Sequence, residues 1–288
     1  MFHIMNVLVT GATRGIGRCI VDALARRPIG VQTIFLCCRD MEQGRQLAAD
    51  LDQSHGSVEP LQLDVTVPAT ISAAAAKLEA DGVTLDALIN NAGVLLERDG
   101  IDLASIVEPT LRVNFDGVMM VTEAFTPLMR DGGLILNVSS GAGTRAAGKL
   151  NATVREELEQ AADGLRLRQI IARVAREVAA LPHPPGETPI YSLSKAAVNF
   201  YTVLVARSMM RVRAHACSPG FCRTEIAGSD ADYSKRAPKS PDLGADVAIK
   251  LVTGHLGAGD TGRFYKECSK PGTPLGDARS QEESWVAL

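Results

Sequence analysis

A chain of 288 residues with 46% hydrophobic side chains and a net charge of −3 can bury the core of one large α/β domain, and no Gly/Ser-rich or charge-rich linker divides it, so one domain over 1–288 is expected. The 30 basic residues form no cluster that would track a phosphate backbone, which excludes nucleic acid as a partner. No apolar run is long enough for a bilayer, Met1–Met5 has neither a basic region nor a cleavage site, and Trp285–Leu288 is no peroxisomal address, so a cytoplasmic location is expected.

Strand-like and helix-like segments alternate from the start, the pattern of a parallel sheet covered by helices on both faces. The strand Met5–Thr10 leads into a helix from Gly15 to Arg27, then a strand in Thr33–Cys38 and a helix through Met41–Asp52. A strand at Pro60–Leu63, the Ala-rich helix Ala69–Ala80 and the strand Leu85–Asn90 follow, then one long helical region over Ala104–Met129 and the strand Gly133–Ser139. The stretch Gly141–Ile190 is an insertion. Its apolar residues Val154, Leu158, Leu165, Ile170, Ile171, Val174, Val178 and Leu181 recur at helical spacing and predict a packed helical face, opened by a capping box of Thr153 with Glu156 and closed by Pro182–Pro185. A helix through Ala197–Met210, a strand at Val212–Cys217, a helix at Leu243–Val252 and a strand at Arg263–Tyr265 complete a doubly wound, Rossmann-type sheet of seven parallel strands.

Cys19, Cys37, Cys38, Cys217, Cys222 and Cys268 lie mostly in apolar runs without metal-ligand spacing, and the five histidines are scattered without it, which predicts free thiols and no metal site. Adjacent Cys37 and Cys38 should point to opposite faces of their strand.

Gly11, Gly15 and Gly17 are spaced G-x-x-x-G-x-G between a strand and a helix, where missing side chains let a pyrophosphate approach the helix N-terminus. After the second strand come neutral Cys38 and then Arg39, with Arg14 inside the glycine loop; two guanidinium groups suit the 2′-phosphate of NADPH. Asp40 reads either as the carboxylate that NADH would require or as the cap of the helix beginning near Met41, and the cap is favoured. Asp64 ends the third strand, where it can accept from an adenine amino group while the Val65 N–H donates to the ring; its other reading is a helix cap over Thr66–Ala69.

Reduction of a carbonyl needs a proton donor beside the arriving hydride. Tyr191 and Lys195 stand one helical turn apart, so the ammonium is expected to lower the phenol's pKa, and Ser140 after the fifth strand offers a hydroxyl for the substrate oxygen. Asn114 is either a surface polar residue or a fourth member that holds a water leading from Lys195 to bulk solvent.

Thr10–Gly17, Asp64-Val65, Asn90–Gly93, Asn114, Ser139-Ser140, Tyr191–Lys195 and Pro219-Gly220 stand in the order of the short-chain dehydrogenase/reductase family, which the chain resembles over nearly its whole length. Within it the chain is most similar to the monomeric NADPH-dependent carbonyl reductases, through Cys217–Thr224 and Lys239-Ser240-Pro241 followed by Gly244-Ala245, although Phe221 stands where the animal enzymes carry Trp. The resemblance implies that Asn114, Ser140, Tyr191 and Lys195 are catalytic. It also implies that the cofactor is held by Gly11, Thr13, Arg14, Gly15, Ile16, Gly17, Arg39, Asp64, Val65, Asn91, Ala92, Gly93, Tyr191, Lys195, Pro219 and Gly220, with Thr224 on the nicotinamide carboxamide. Reduction of an aldehyde, ketone or quinone follows as the expected activity. An NAD-dependent alcohol or hydroxysteroid dehydrogenase and a non-enzymatic NADPH sensor are the alternatives. Family relatives commonly pair through the tyrosine helix and the one before it; the insertion would cover that surface, so a monomer is expected. Substrate choice falls to the loops Val94–Asp99, Gly141–Ala147 and Ile226–Ala237.

Overall fold

The computed structural model describes residues 5–184, 186–224, 226, 238–254, 260–266 and 281–283. Strands β1 (Met5–Val9), β2 (Val31–Cys38), β3 (Ser57–Gln62), β4 (Leu85–Asn90), β5 (Met129–Val138), β6 (Arg213–Ser218) and β7 (Arg263–Lys266) form one parallel sheet in the order β3-β2-β1-β4-β5-β6-β7. The seven expected strands are present, and an eighth that the sequence did not suggest, β8 (Gln281–Glu283), pairs antiparallel with β7. The strand order reverses between β1 and β4, which opens a crevice at their carboxyl ends where ligands of such sheets bind.

Every residue of β4 is buried, as a strand covered on both faces requires. Val7, Val9, Ile34, Leu36 and Cys38 pack against α1 (Gly15–Arg26), α2 (Met41–Asp50) and, beyond β5, α10 (Pro241–Val252). Leu8, Phe35, Cys37 and Leu88 face the other way, toward α3 (Pro68–Ala80), α4 (Leu103–Leu111), α5 (Gly117–Phe125), α8 (Gly164–Ala179) and α9 (Pro189–Ser208). Cys37 and Cys38 thus part to opposite faces. The five described cysteines are free thiols, and Cys268 lies outside the described residues.

Three local expectations are corrected. The continuous helix over 104–129 is broken: Pro109 stands inside α4 and supplies no N–H, and the chain passes through a π-turn at Arg112–Asp116 before α5 and ends in a 3₁₀ turn at Thr126–Leu128. The capping box of Thr153 and Glu156 does not form, because Asn151 caps α7 (Ala152–Glu159) by accepting from the Val154 N–H at 2.8 Å, which leaves Thr153 inside the helix. The tyrosine helix starts at Pro189 rather than Ala197, as Pro at the first helical position permits.

The insertion comprises α6 (Gly141–Lys149), α7 and α8, so Gly141–Ala147 is helix rather than loop. Val154, Leu158, Ile170, Ile171 and Val174 are buried as expected, whereas Leu165 and Leu181 are exposed and Leu167 fills the core instead. Arg168 ties α8 to the π-turn and to α4, with Nε 2.6 Å from Asp116 and Nη2 2.6 Å from Glu108; Arg176 reaches Glu108 as well, at 2.9 Å. Among the described residues no helix is long and apolar enough to cross a membrane, and no cluster of His, Cys, Asp or Glu could hold a metal.

Candidate active site

The glycine loop follows β1. Gly11 and Gly15 adopt φ of +60° and +54°, values open to glycine at little cost. A Cβ at Gly17 would collide with the Gly11 carbonyl oxygen and the Asn91 side-chain amide, and one at Gly11 would lie 2.8 Å from the Ala92 Cα. The loop is fastened to the segment after β4: Thr10 Oγ1 accepts from the N–H groups of Asn91 (2.9 Å) and Ala92 (3.1 Å), while Asn91 Nδ2 donates to the carbonyls of Thr10 and Gly11 at 2.9 and 3.0 Å. Arg14 occupies the N-cap of α1 without a side-chain cap bond, so its side chain leaves the first-turn N–H groups available to an anion. Thr13 and Ile16 lie half-buried in the same loop, and Thr224 overhangs it, its methyl 3.5 Å from where a Gly15 Cβ would sit.

At the end of β2, Cys38 is buried while Arg39, like Arg14, is exposed. Asp40 is committed to α2: its Oδ1 accepts from the N–H groups of Glu42 (2.8 Å) and Gln43 (3.3 Å), in accord with the favoured cap. Asp64 does not cap α3 itself. Its Oδ1 accepts from the N–H (2.8 Å) and hydroxyl (2.7 Å) of Thr66, an Asx turn ahead of α3, whose N-cap is Val67. Val65 packs on the start of α5, its Cβ 2.9 Å from where a Gly117 Cβ would be.

Ser140, Tyr191, Lys195 and Asn114 come together beside the ends of β4 and β5. Ser140 caps α6, its Oγ accepting from the Ala142 N–H at 3.1 Å. Lys195 is 4% exposed; its Nζ donates to the Val138 carbonyl at 2.8 Å and lies 5.9 Å from the centre of the Tyr191 ring. Burial drives its pKa down to about 8. Asn114 sits in the π-turn, fully buried, which removes the surface reading: Oδ1 accepts from the Val94 N–H (2.7 Å), and Nδ2 donates to the Val94 carbonyl (2.8 Å) and to Ser194 Oγ (2.9 Å). Ser194 in turn donates to the Tyr191 carbonyl at 2.7 Å. Both Asn114 N–H groups are therefore spent on protein, and only the second lone pair of Oδ1 is left on that side chain for the expected water. Gly93 completes the corner; a Cβ there would lie 3.3 Å from Asn114 Oδ1 and 3.4 Å from Lys195 Nζ.

The Tyr191 phenol departs from expectation. Its pKa is raised rather than lowered, chiefly because burial disfavours the phenolate; hydrogen bonding with Ser140 opposes this and the charge of Glu97 adds to it. Desolvation outweighs the hydrogen bond with Ser140, so the net direction is upward.

Pro219 and Gly220 turn away from β6, Gly220 with φ +81°, and Ser218 Oγ accepts from the N–H groups of Gly141 and Gly220, each at 3.2 Å. The Phe221 carbonyl accepts from the Lys239 N–H and the Lys239 carbonyl from the Arg223 N–H, both at 2.9 Å, which joins the two stretches that carried the finer resemblance. Residues 227–237, on which the third substrate loop falls, lie outside the described residues.

The sequence reading passed over Glu97, Ser194, Val94 and the Val138 carbonyl. Only Glu97 left a trace: α9 has Pro189 at its first position and no acidic residue in its first turn, so its cap had to come from elsewhere.

The chain belongs to the short-chain dehydrogenases, whose family model matches residues 5–152. It is 29% identical to carbonyl reductase [NADPH] 1 of Rattus norvegicus over 275 residues, covering 90% of this chain and 95% of the relative. Among solved structures, salutaridine reductase from Papaver somniferum aligns at TM-score 0.72 with 25% identity, covering 92% of this chain and all of that one. NADPH-bound carbonyl reductase from chicken fatty liver aligns at 0.67, also with 25% identity, over 92% of this chain and 93% of its own.

Proposed function

We propose that the chain is an oxidoreductase that uses NADPH to reduce a carbonyl group, in an aldehyde, ketone or quinone, to an alcohol. The observation that carries this reading is the convergence of the Ser140 hydroxyl, the Tyr191 phenol and the buried Lys195 ammonium beside a glycine loop in which any side chain at Gly17 would collide. That cradle, with the uncapped start of α1, fits a pyrophosphate, and the exposed Arg14 and Arg39 fit a 2′-phosphate, while Asp40 is spent on α2. The relatives named above for NADPH support the same choice of cofactor.

When bound, NADPH supplies the hydride. The chain's own work is proton delivery and placement: Ser140 holds the carbonyl oxygen, Tyr191 passes its proton to that oxygen, and Lys195, fixed by Val138, serves the ribose and stabilises the phenolate left behind. Asn114 and Gly93 hold the corner against Lys195, and Asn91, Ala92, Pro219, Gly220 and Thr224 line the cofactor side with Thr13, Ile16, Asp64 and Val65. The chain works as a monomer, because α8, backed by α7, packs along α4 and α9, the flank through which relatives pair.

The test is Tyr191→Phe, which deletes one oxygen and keeps the ring. Turnover with the best carbonyl of a panel of quinones, aldehydes, diketones and ketosteroids is expected to fall by at least about a hundredfold while NADPH affinity stays within about twofold. Near-normal turnover refutes the mechanism. A wild type that binds NADPH yet reduces nothing in the panel leaves the sensor reading.

A further inference from the structure

The loop between β4 and α4 places a carboxylate beside the proton donor. Glu97 is 7% exposed, and its Oε1 accepts the Tyr191 backbone N–H at 2.7 Å across 94 positions of sequence. Its other oxygen, Oε2, is buried with no hydrogen-bond partner among the described residues, and neighbouring Arg98 is turned to the carbonyls of Leu95 and Glu97 rather than to the carboxylate. A buried acid with half its hydrogen-bonding capacity unused is costly to keep for packing alone.

The helix it touches explains the placement. Thr188, the N-cap of α9, makes no side-chain cap bond, Pro189 has no N–H, and no acid stands in the first turn. The first turn of a helix offers N–H groups and a positive dipole end, and a carboxylate satisfies both. The third residue of that turn is Tyr191.

We infer that Glu97 is a positioning residue of the active site, a cap supplied from the β4–α4 loop that holds the first turn of α9, and with it Tyr191, in place against Ser140. The reading of Tyr191 as proton donor is taken over from the proposed function. Anchoring from below is independent: Ser194 accepts from Asn114 and donates to the Tyr191 carbonyl, so the backbone of Tyr191 is held at its N–H by Glu97 and at its carbonyl by the Asn114–Ser194 pair. The charge has a second effect. Around the phenol stand Ser140 from the start of α6, Lys195 one turn on along α9 and Glu97 from the loop, and the Glu97 charge favours the protonated phenol. A donor must carry its proton, so Glu97 extends the reductive reaction to higher pH.

Three variants separate the two effects. Glu97→Gln keeps an oxygen for the Tyr191 N–H and removes the charge; its kcat plateau is expected within about threefold of wild type, with the alkaline limb of the pH profile lowered by about half a pH unit. Glu97→Ala removes the cap as well, and kcat is expected to fall about tenfold or more at every pH with KM for NADPH unchanged. Tyr191→Phe, run in parallel, tests the underlying reading. Direct titration of the phenol does not depend on turnover: with ¹³C-labelled tyrosine the resonance missing in Tyr191→Phe is Tyr191, and its midpoint is expected to fall in Glu97→Gln. An unmoved midpoint, or a Glu97→Gln pH profile that superimposes on wild type with Glu97→Ala within twofold of it, overturns the proposal. If Glu97→Ala does not fold, Glu97→Gln decides alone by its profile and its titration. If Tyr191→Phe turns over normally, the proposed function fails while the titration still reports on Glu97.

Discussion

The two faces of the sheet are built from different materials. Under α1, α2 and α10 the interior is mainly apolar, His215 and Asp246 apart, and what that side contributes to the site is backbone: a glycine loop whose geometry excludes side chains and whose N–H groups suit an anion. Under α5 and α9 the interior carries polar side chains. Asn90 donates to Thr122 Oγ1 (3.0 Å) and to Asn137 Oδ1 (2.9 Å), Asn137 donates to Thr202 Oγ1 (2.9 Å), and the same face holds Asn114, Ser194 and Lys195. A backbone site tolerates no added atom. A buried polar site tolerates no lost partner, since each orphaned group keeps its desolvation penalty. The cofactor half and the proton-transfer half should therefore fail in opposite ways.

The largest effect is expected on the backbone side. Gly17→Ala drives a methyl group into the Gly11 carbonyl and the Asn91 amide, and NADPH affinity measured by calorimetry should fall by at least about a hundredfold; retention of affinity would mean that the loop can open. On the other face the balance depends on pH, because burial disfavours the charge of Lys195. With its pKa held down to about 8 in the fold against an ordinary 10.5, wild type loses protons before the unfolded chain does. The stability that Lys195 adds is full above pH 10.5 and lost as pH falls through 8, a span of about 3 kcal/mol. Lys195→Met should abolish that dependence, so that denaturant unfolding shows the variant gaining on wild type from pH 10.5 down to 7. Equal slopes for the two proteins would show that the lysine is better solvated than its burial indicates.

Arg39→Ala returns to the cofactor side and should weaken NADPH by about 1.5–3 kcal/mol while leaving NADH unchanged. Equal wild-type affinities for the two cofactors would remove the 2′-phosphate assignment. The smallest effect belongs to the insertion. Arg168 is 18% exposed between Asp116 and Glu108, and its loss should cost about 1–2 kcal/mol and lower Tm by about 2–4 °C. Light scattering on a sizing column should give the mass of one chain, 30.5 kDa. A stable tetramer would show that α8 does not occlude the pairing surface.

Legibility followed the same division. Gly11, Gly15 and Gly17 could be read because a backbone device leaves its mark at fixed spacing in one short string, and the strands could be read because burial on both faces demands apolar runs. Tyr191 and Lys195 were equally local, one turn apart on one helix. The π-turn was not, since Pro109 gives no sign of where the strain it introduces will be taken up, and Asn114 looked as much like a surface residue as a site residue. The Asn151 cap displaced a good local match at Thr153 because a helix begins where the preceding chain lets it, not only where a motif allows. Glu97 left only the indirect trace of an uncapped α9, being 94 residues from the N–H it satisfies.

By itself the sequence determined what short-range sterics and periodicity dictate: the order of strands and helices, the glycine loop, the tyrosine–lysine pair and the free cysteines. Tertiary structure alone decided which distant groups meet, and with them the electrostatics of the site: the Val138 carbonyl under Lys195, the Val94 clasp on Asn114, the Glu97 cap on Tyr191 and the ion pairs of Arg168. The physical reason is that burial and long-range pairing set the charge state of a side chain. The phenol that its nearby lysine should have acidified is instead held protonated by the core around it.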